Sequence, residues 1–332
     1  MMGIWYLLLL VPLVLVEYSL YKLTPVVKYY SSDSQQELDV LRRYDVGKWS
    51  RLKFYVGAYF LMPWRLILII LSVVVDYSLI KLALTKWGSC SKPLPKWRRK
   101  IIYYNTRFWA RVLLLGAGFW KVEEVGKPSD QACVIASNHC SWVDIIYFLT
   151  SPEFPSFVSK ASVEEMPFIG AIATAIQCVF IDRVSGKEEA LDQMTQRQVS
   201  IKNQEDYPKL LVFPEGTTTN GTGLLFFKKG GFMGKVPVQP VYLEYSLENF
   251  SPCMEVVPMV AHAILLACQF SNKLKVHRLE TVTAKEDWTS QDYAQHVRNV
   301  ISQKLSIPQS PLKLEDKVER LQQIYNSKQK LT

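Results

Sequence analysis

Met2 to Val16 is a nearly unbroken apolar run, interrupted by Pro12 and bounded by Glu17. A straight membrane crossing takes roughly 20 residues, and the tail through Leu23 supplies the difference. There is no basic segment ahead of the run and no small-residue cleavage site behind it. It therefore reads as a retained anchor over residues 1–23 rather than a signal peptide, and the absence of early Arg argues against a mitochondrial transit peptide. A basic connecting segment, residues 24–53, leads to a second apolar block, Phe54 to Leu84, cut by Pro63, Arg65 and Asp76. Arg is costly at the centre of a span and Pro interrupts a helix. Residues 54–85 are thus expected to form a bent pair of short helices dipping into one leaflet; the competing reading is a buried helical hairpin of a soluble core. Arg42, Arg43, Lys48, Arg51 and Lys53 precede this block, and Lys86, Lys92, Lys96, Arg98, Arg99 and Lys100 follow it. The positive-inside rule puts both flanks on the cytoplasmic side.

From about residue 100 the pattern becomes globular. Ile101 to Trp120 reads as an amphipathic helix. Short β-like runs then recur at Cys133–Ser137, Phe157–Ser159, Cys178–Ile181, Leu210–Phe213 and Val238–Tyr242, with helical stretches at Asp144–Thr150 and Lys187–Asn203 between them. Strands alternating with helices predict an α/β domain over residues 100–306, its mixed or largely parallel sheet flanked by helices. The polar tail, residues 307–332, carries Leu314, Val318, Leu321 and Tyr325 at spacings of four, three and four, one face of a helix. Such a helix covers its own domain's surface more readily than it docks a partner in a membrane complex, although both uses fit the pattern.

The chain has 332 residues, enough for a sizeable core, and its 49% hydrophobic content is concentrated in the first third. A net charge of +9 attracts nucleic acid, anionic lipid or phosphorylated metabolites alike. No nucleic-acid module accompanies it, so the apolar segments turn the charge toward lipid. Six scattered cysteines without a CxxC pair suit a reducing compartment and argue against a structural metal or a disulfide framework.

Chemistry concentrates in two stretches. In Asn138–Asp144 a strand ends at Ser137 and an apolar helix starts near Ser141, a good N-cap. On a continuous helix His139 and Asp144 would point about 140° apart; across a strand-to-helix turn they can meet. A carboxylate on one imidazole nitrogen leaves the other as a base. An isolated histidine in such a loop is more often simply satisfied by its surroundings. Cys140 has no separate base and reads as packing. In the second stretch, Val212 to Gly221, the strand must end at Phe213 because Pro214 cannot sit in a central strand. Glu215, Gly216 and the hydroxyls from Thr217 onward then share one loop, which is either an ordinary turn or a cradle for a polyol or phosphate headgroup. Lys160 and Arg183 follow two other strands as phosphate candidates. Lys228 and Lys229 read as a solvated face.

Taken together, His139-x-x-x-x-Asp144, Phe180-Ile-Asp-Arg183, Phe213-Pro-Glu-Gly-Thr217 and Val236-Pro-Val-Gln-Pro240 resemble, in order, the four blocks of the glycerolipid acyltransferases. The longer Phe213–Gly221 string and Pro63-Trp-Arg65 resemble the lysophosphatidylcholine and lysophosphatidylethanolamine acyltransferase branch. The resemblance implies the fold of that family and transfer of an acyl group from acyl-CoA, as co-substrate, to the sn-2 hydroxyl of a lysophospholipid. His139 is then the base and Asp144 its orienting partner. Arg183, Glu215, Gly216 and Thr217 are implied on the glycerophosphate side, with Lys160 beside them. No bound cofactor, metal or calcium dependence is expected. Glycerol 3-phosphate or lysophosphatidic acid is the alternative acceptor, and a non-catalytic, lipid-holding subunit is the alternative role. The implied home is the endoplasmic reticulum membrane with the catalytic domain cytoplasmic, a mitochondrial membrane being the alternative; Lys328-x-Lys330 resembles a retrieval signal.

Overall fold

The computed structural model describes residues 2–32, 40–85, 87, 92–181, 187–254 and 256–329. The chain opens with three helices, α1 (Met2–Ser32), α2 (Arg51–Phe60) and α3 (Met62–Ala83), followed by α4 (Lys96–Gly116). The α/β portion then runs β1 (Val122–Val125), β2 (Val134–Ser137), α5 (Trp142–Thr150), β3 (Ser156–Lys160), α6 (Ile169–Ala175), β4 (Val179–Ile181) and α7 (Lys187–Lys202). It continues with β5 (Leu210–Val212), β6 (Val238–Tyr245), α8 (Met259–Ala267), β7 (Leu274–Arg278) and α9 (Ser290–Leu305), and α10 (Leu314–Gln329) closes the chain.

The seven strands form one sheet in the order β1-β7-β6-β2-β5-β3-β4. Every pairing is parallel except β6 with β7. This is the α/β arrangement expected from the alternation of elements; β1 and β7, which the apolar runs did not signal, are added at one edge. Side chains alternate across the sheet as the two-residue period of a strand demands. Ile135, Leu211 and Val241 enter the core shared with α4, α5 and α8, while Val134, Ala136, Leu210 and Val212 enter the one shared with α7 and α9. With both faces covered, β2 and β5 are buried throughout, which is why they read as continuous apolar runs. Pro240 is tolerated inside β6 because the β6–β7 ladder begins only at Val241.

The amino-terminal helices depart from expectation. α1 does not stop at residue 23 but continues through Pro25 to Ser32 and packs on α8. The second apolar block is a pair of helices, but not two short ones: α2 has 10 residues and α3 has 22. Pro63 lies in the first turn of α3, where its missing N–H costs nothing. Arg65 is fully buried within the protein, donating to the carbonyls of Ala267 (2.8 Å), the last residue of α8, and of Gln269 and Phe270 just beyond it. Asp76 accepts from Asn105 (2.6 Å) and Thr106 (2.8 Å) of α4. The polar interruptions of this apolar block are therefore joints between helices. Gly57 makes another: a Cβ there would lie 1.7 Å from the carbonyl oxygen of Cys268, so only glycine lets α2 approach the end of α8. Among the described residues, two helices, Leu10–Tyr30 within α1 and Met62–Ala83, are long and apolar enough to cross a membrane.

Two further expectations are corrected. Arg43 is no membrane-flanking cation; it is buried, paired with Asp45 at 2.9 Å and donating to the carbonyls of Ser251 and Cys253. On α10 the buried face is turned from the expected one. Leu321 and Tyr325 of the expected face do pack against the core, but Lys317 and Ile324 are buried and Val318 is exposed, and α10 lies against α1 of its own chain. The tail also has no break from the domain at residue 306, since Leu224 exchanges backbone hydrogen bonds with Pro308 and Ser310.

Candidate active site

β2, β5, β3 and β4 run parallel, so their carboxyl ends share one edge of the sheet, the edge where α/β proteins place ligands. His139 follows β2 by two residues, Glu215 follows β5 by three, and Lys160 ends β3. Arg183 follows β4 by two residues and lies, with Asp182, outside the described residues.

The turn from β2 into α5 is built around one carboxylate. Ser141 caps the helix, and Asp144, at the third helical position, reaches back to form a capping box. Asp144 Oδ2 accepts from the amides of Cys140 (2.6 Å) and Ser141 (2.9 Å) and lies 2.7 Å from His139 Nδ1. Its Oδ1 accepts from the Tyr245 hydroxyl at 2.5 Å. A fully buried carboxylate is tolerable because four donors surround it. Burial and that carboxylate together push the Tyr245 phenol well above its ordinary value, keeping it a donor. The His139 ring stacks on Phe213, centroids 4.1 Å apart and planes at 15°, and keeps 19% of its side chain exposed. Position, tautomer and access are thereby set together. With Nδ1 occupied by Asp144, Nε2 is the nitrogen that can exchange a proton.

Glu215 lies inside the fold. It is 1% exposed and faces inward, one oxygen accepting from the amide of His139 (3.2 Å) and the other from that of Leu225 (3.0 Å). Burial pushes its carboxyl up to about 8, opposed by these two amides and by the charge of Arg298. It joins the two site loops. Gly216 has a positive φ of 71° and is exposed, and Thr217 is half-buried; these two form the open part of the loop. Lys160 is exposed. Lys228 is exposed, as expected of a solvated face, and its amine also lies beside Gly216, where a Cβ would come within 2.9 Å of Nζ. Cys140 is buried, and its hydrogen bond with Cys253 followed by burial holds its thiol well above the ordinary value, so it supplies no thiolate.

Sequence reasoning missed Tyr245, Lys228 and Asn138. The Asn138 side chain bonds both the N–H (2.7 Å) and the carbonyl (3.0 Å) of Leu243, prolonging the sheet where β2 stops. Its position beside His139 was the only available signal. Among the described residues no cluster of three or more His, Cys, Asp or Glu could hold a metal ion.

The histidine–carboxylate pair lies at the carboxyl edge of a mostly parallel sheet, and known proteins give the family. Residues 121–244, the span from β1 through most of β6, match the acyltransferase family and form a domain of that family. The chain is 32% identical over 252 residues to lysophospholipid acyltransferase LPEAT1 of Arabidopsis thaliana, covering 67% of this chain and 63% of that protein. It is 26% identical over 280 residues to human lysophosphatidylcholine acyltransferase 2, covering 82% of this chain and 51% of that one. The chain thus spans about half to two thirds of the length of these relatives. The 1-acyl-sn-glycerophosphate acyltransferase PlsC of Thermotoga maritima shares the fold, with a TM-score of 0.50 at 18% identity over 74% of this chain and 97% of that one. The resemblance to lysophospholipid acyltransferases drawn from the sequence blocks therefore holds.

Proposed function

We propose that this chain transfers an acyl group from acyl-CoA to the free sn-2 hydroxyl of a lysophospholipid at a membrane surface. The observation that carries the reading is the 2.7 Å contact between His139 Nδ1 and Asp144 Oδ2 inside an acyltransferase-family domain. His139 Nε2 takes the hydroxyl proton as the oxygen attacks the thioester carbonyl. The tetrahedral intermediate collapses with loss of the CoA thiolate, which receives that proton from His139. The new ester bond replaces the thioester, so no acyl-enzyme and no metal is required. Asp144 holds the ring and stabilises the imidazolium. Lys228 beside Gly216, together with Lys160 and Arg183, supplies the cations for the acceptor's phosphate.

α1 and α3 attach the chain to the bilayer, which brings an amphiphilic acceptor to the sheet edge from within a leaflet. The positive-inside rule, applied to the exposed basic residues around α2 and α3, favours a cytoplasmic catalytic domain, and the endoplasmic reticulum is the membrane we assign.

The test is CoA release by the purified full chain in liposomes. It uses one acyl-CoA against a panel of lysophospholipids, lysophosphatidic acid and glycerol 3-phosphate, with His139→Ala as the blank. Turnover on a lysophospholipid that falls by about 10³-fold in the variant is expected. Preference for lysophosphatidic acid or glycerol 3-phosphate would move the acceptor. No turnover on any acceptor by folded protein would sink the enzymatic reading.

A further inference from the structure

α10 belongs to no part of the proposed chemistry, yet a deeply buried cation on it ends in the loop that carries Glu215. Lys317 is 6% exposed, and its Nζ donates to both the carbonyl (2.8 Å) and the hydroxyl (2.7 Å) of Thr218. The Thr218 hydroxyl donates onward to the Met254 carbonyl (3.1 Å). The next amide, that of Thr219, donates to the carbonyl of His139 at 2.8 Å. One peptide unit therefore separates the contact made by Lys317 from the backbone of His139.

An ammonium at a buried helix position costs desolvation that a methionine of similar shape would not. What Lys317 adds over such a side chain includes two directed bonds that hold the Thr218 peptide. The far end of α10 is held as well: Ile324 is fully buried, and the hydroxyl of Tyr29 on α1 donates to Gln323 at 3.2 Å. We propose that Lys317 is a positioning residue for the reaction. Docked on α1, α10 uses it to hold the Thr218–Thr219 peptide and, through that, the turn bearing His139. The inference rests on the acyl-transfer reading above.

Lys317→Met in the full-length chain keeps the stem and removes the donors. It is expected to fold with a cooperative melt and to lose about tenfold in kcat, because small displacements of a catalytic group are expensive. KM for acyl-CoA and for lysophospholipid should stay within about threefold, a split that simple loss of packing would not produce. Thr218→Val removes the other half of the contact. Its loss should be similar, and the double variant should be no slower than the worse single one. A Lys317→Met enzyme within about twofold of wild-type kcat, or losses that add, would overturn the proposal. If Lys317→Met does not fold, Thr218→Val decides on the same tenfold and twofold limits. If the wild type transfers no acyl group at all, the acyl-transfer reading fails separately. Amide exchange then decides: faster exchange at Thr219 and Asn220 in Lys317→Met supports the tie, and unchanged exchange refutes it.

Discussion

The two loops of the site are held in opposite ways. The turn from β2 into α5 supports itself: Asp144 binds two amides and the imidazole of residues no more than five positions away, within one capping box. The loop after β5 borrows its support. Glu215 reaches across to the His139 amide, Asn220 bonds the carbonyls of Val40 and Arg42, and Lys317 comes from the last helix. Local support places His139 reproducibly, whereas remote support makes the loop after β5 responsive to the rest of the chain, including the amino-terminal helices.

The sharpest way to break this contrast is at Asp144. Asp144→Ala removes the local hub and leaves the Cys140 and Ser141 amides and the Tyr245 hydroxyl facing a dry cavity. It should lower kcat by about 10³-fold and stability by about 2 kcal/mol. A variant that kept a tenth of its activity would show that the turn does not rely on this carboxylate. Tyr245→Phe takes away the one long-range contact to Asp144 and should cost only about tenfold in kcat, with KM nearly constant. A loss as large as that of Asp144→Ala would mean the turn is not self-supporting.

On the borrowed side, Asn220→Ala should lower stability by about 1 kcal/mol in urea unfolding. It should raise amide exchange across residues 216–222 while leaving exchange in α5 unchanged. Glu215 offers a pH test. Its carboxyl stands at about 8 when folded against 4.5 for a free side chain, so the folded protein keeps a proton that the unfolded chain has released. Its contribution favours the native state below about 4.5 and is lost as pH rises through about 8. Urea midpoints of the wild type should therefore fall relative to those of Glu215→Gln between pH 5 and pH 9; parallel curves would show that Glu215 does not titrate in this window.

Much of this organisation was legible beforehand for physical reasons. Strands covered on both faces read as apolar runs, and the capping signal at Ser141 and Asp144 operates within a single helical turn. β1 was hidden because three of its four residues are exposed at the sheet's edge, leaving no apolar run. The face of α10 was misjudged because Val318 and Lys317 are adjacent, and only the neighbouring α1 and Thr218 loop select which is buried. Arg65 and Asp76 looked like breaks in a membrane segment because their partners, at the end of α8 and on α4, lie far along the chain.

By itself, then, the sequence determined the alternation that builds the sheet, the strand-to-helix turn presenting His139, and the carboxylate at the right spacing to orient it. These depend on interactions over a few residues and on the burial of apolar side chains. Tertiary structure alone decided that Glu215 turns inward, that Lys228 reaches Gly216, that Tyr245 completes the shell of Asp144, and that α10 clasps the loop beside the His139 turn. Each of those is a directed polar contact between distant segments. Hydrophobic patterning sets which faces are buried but carries no information about which buried donor meets which acceptor.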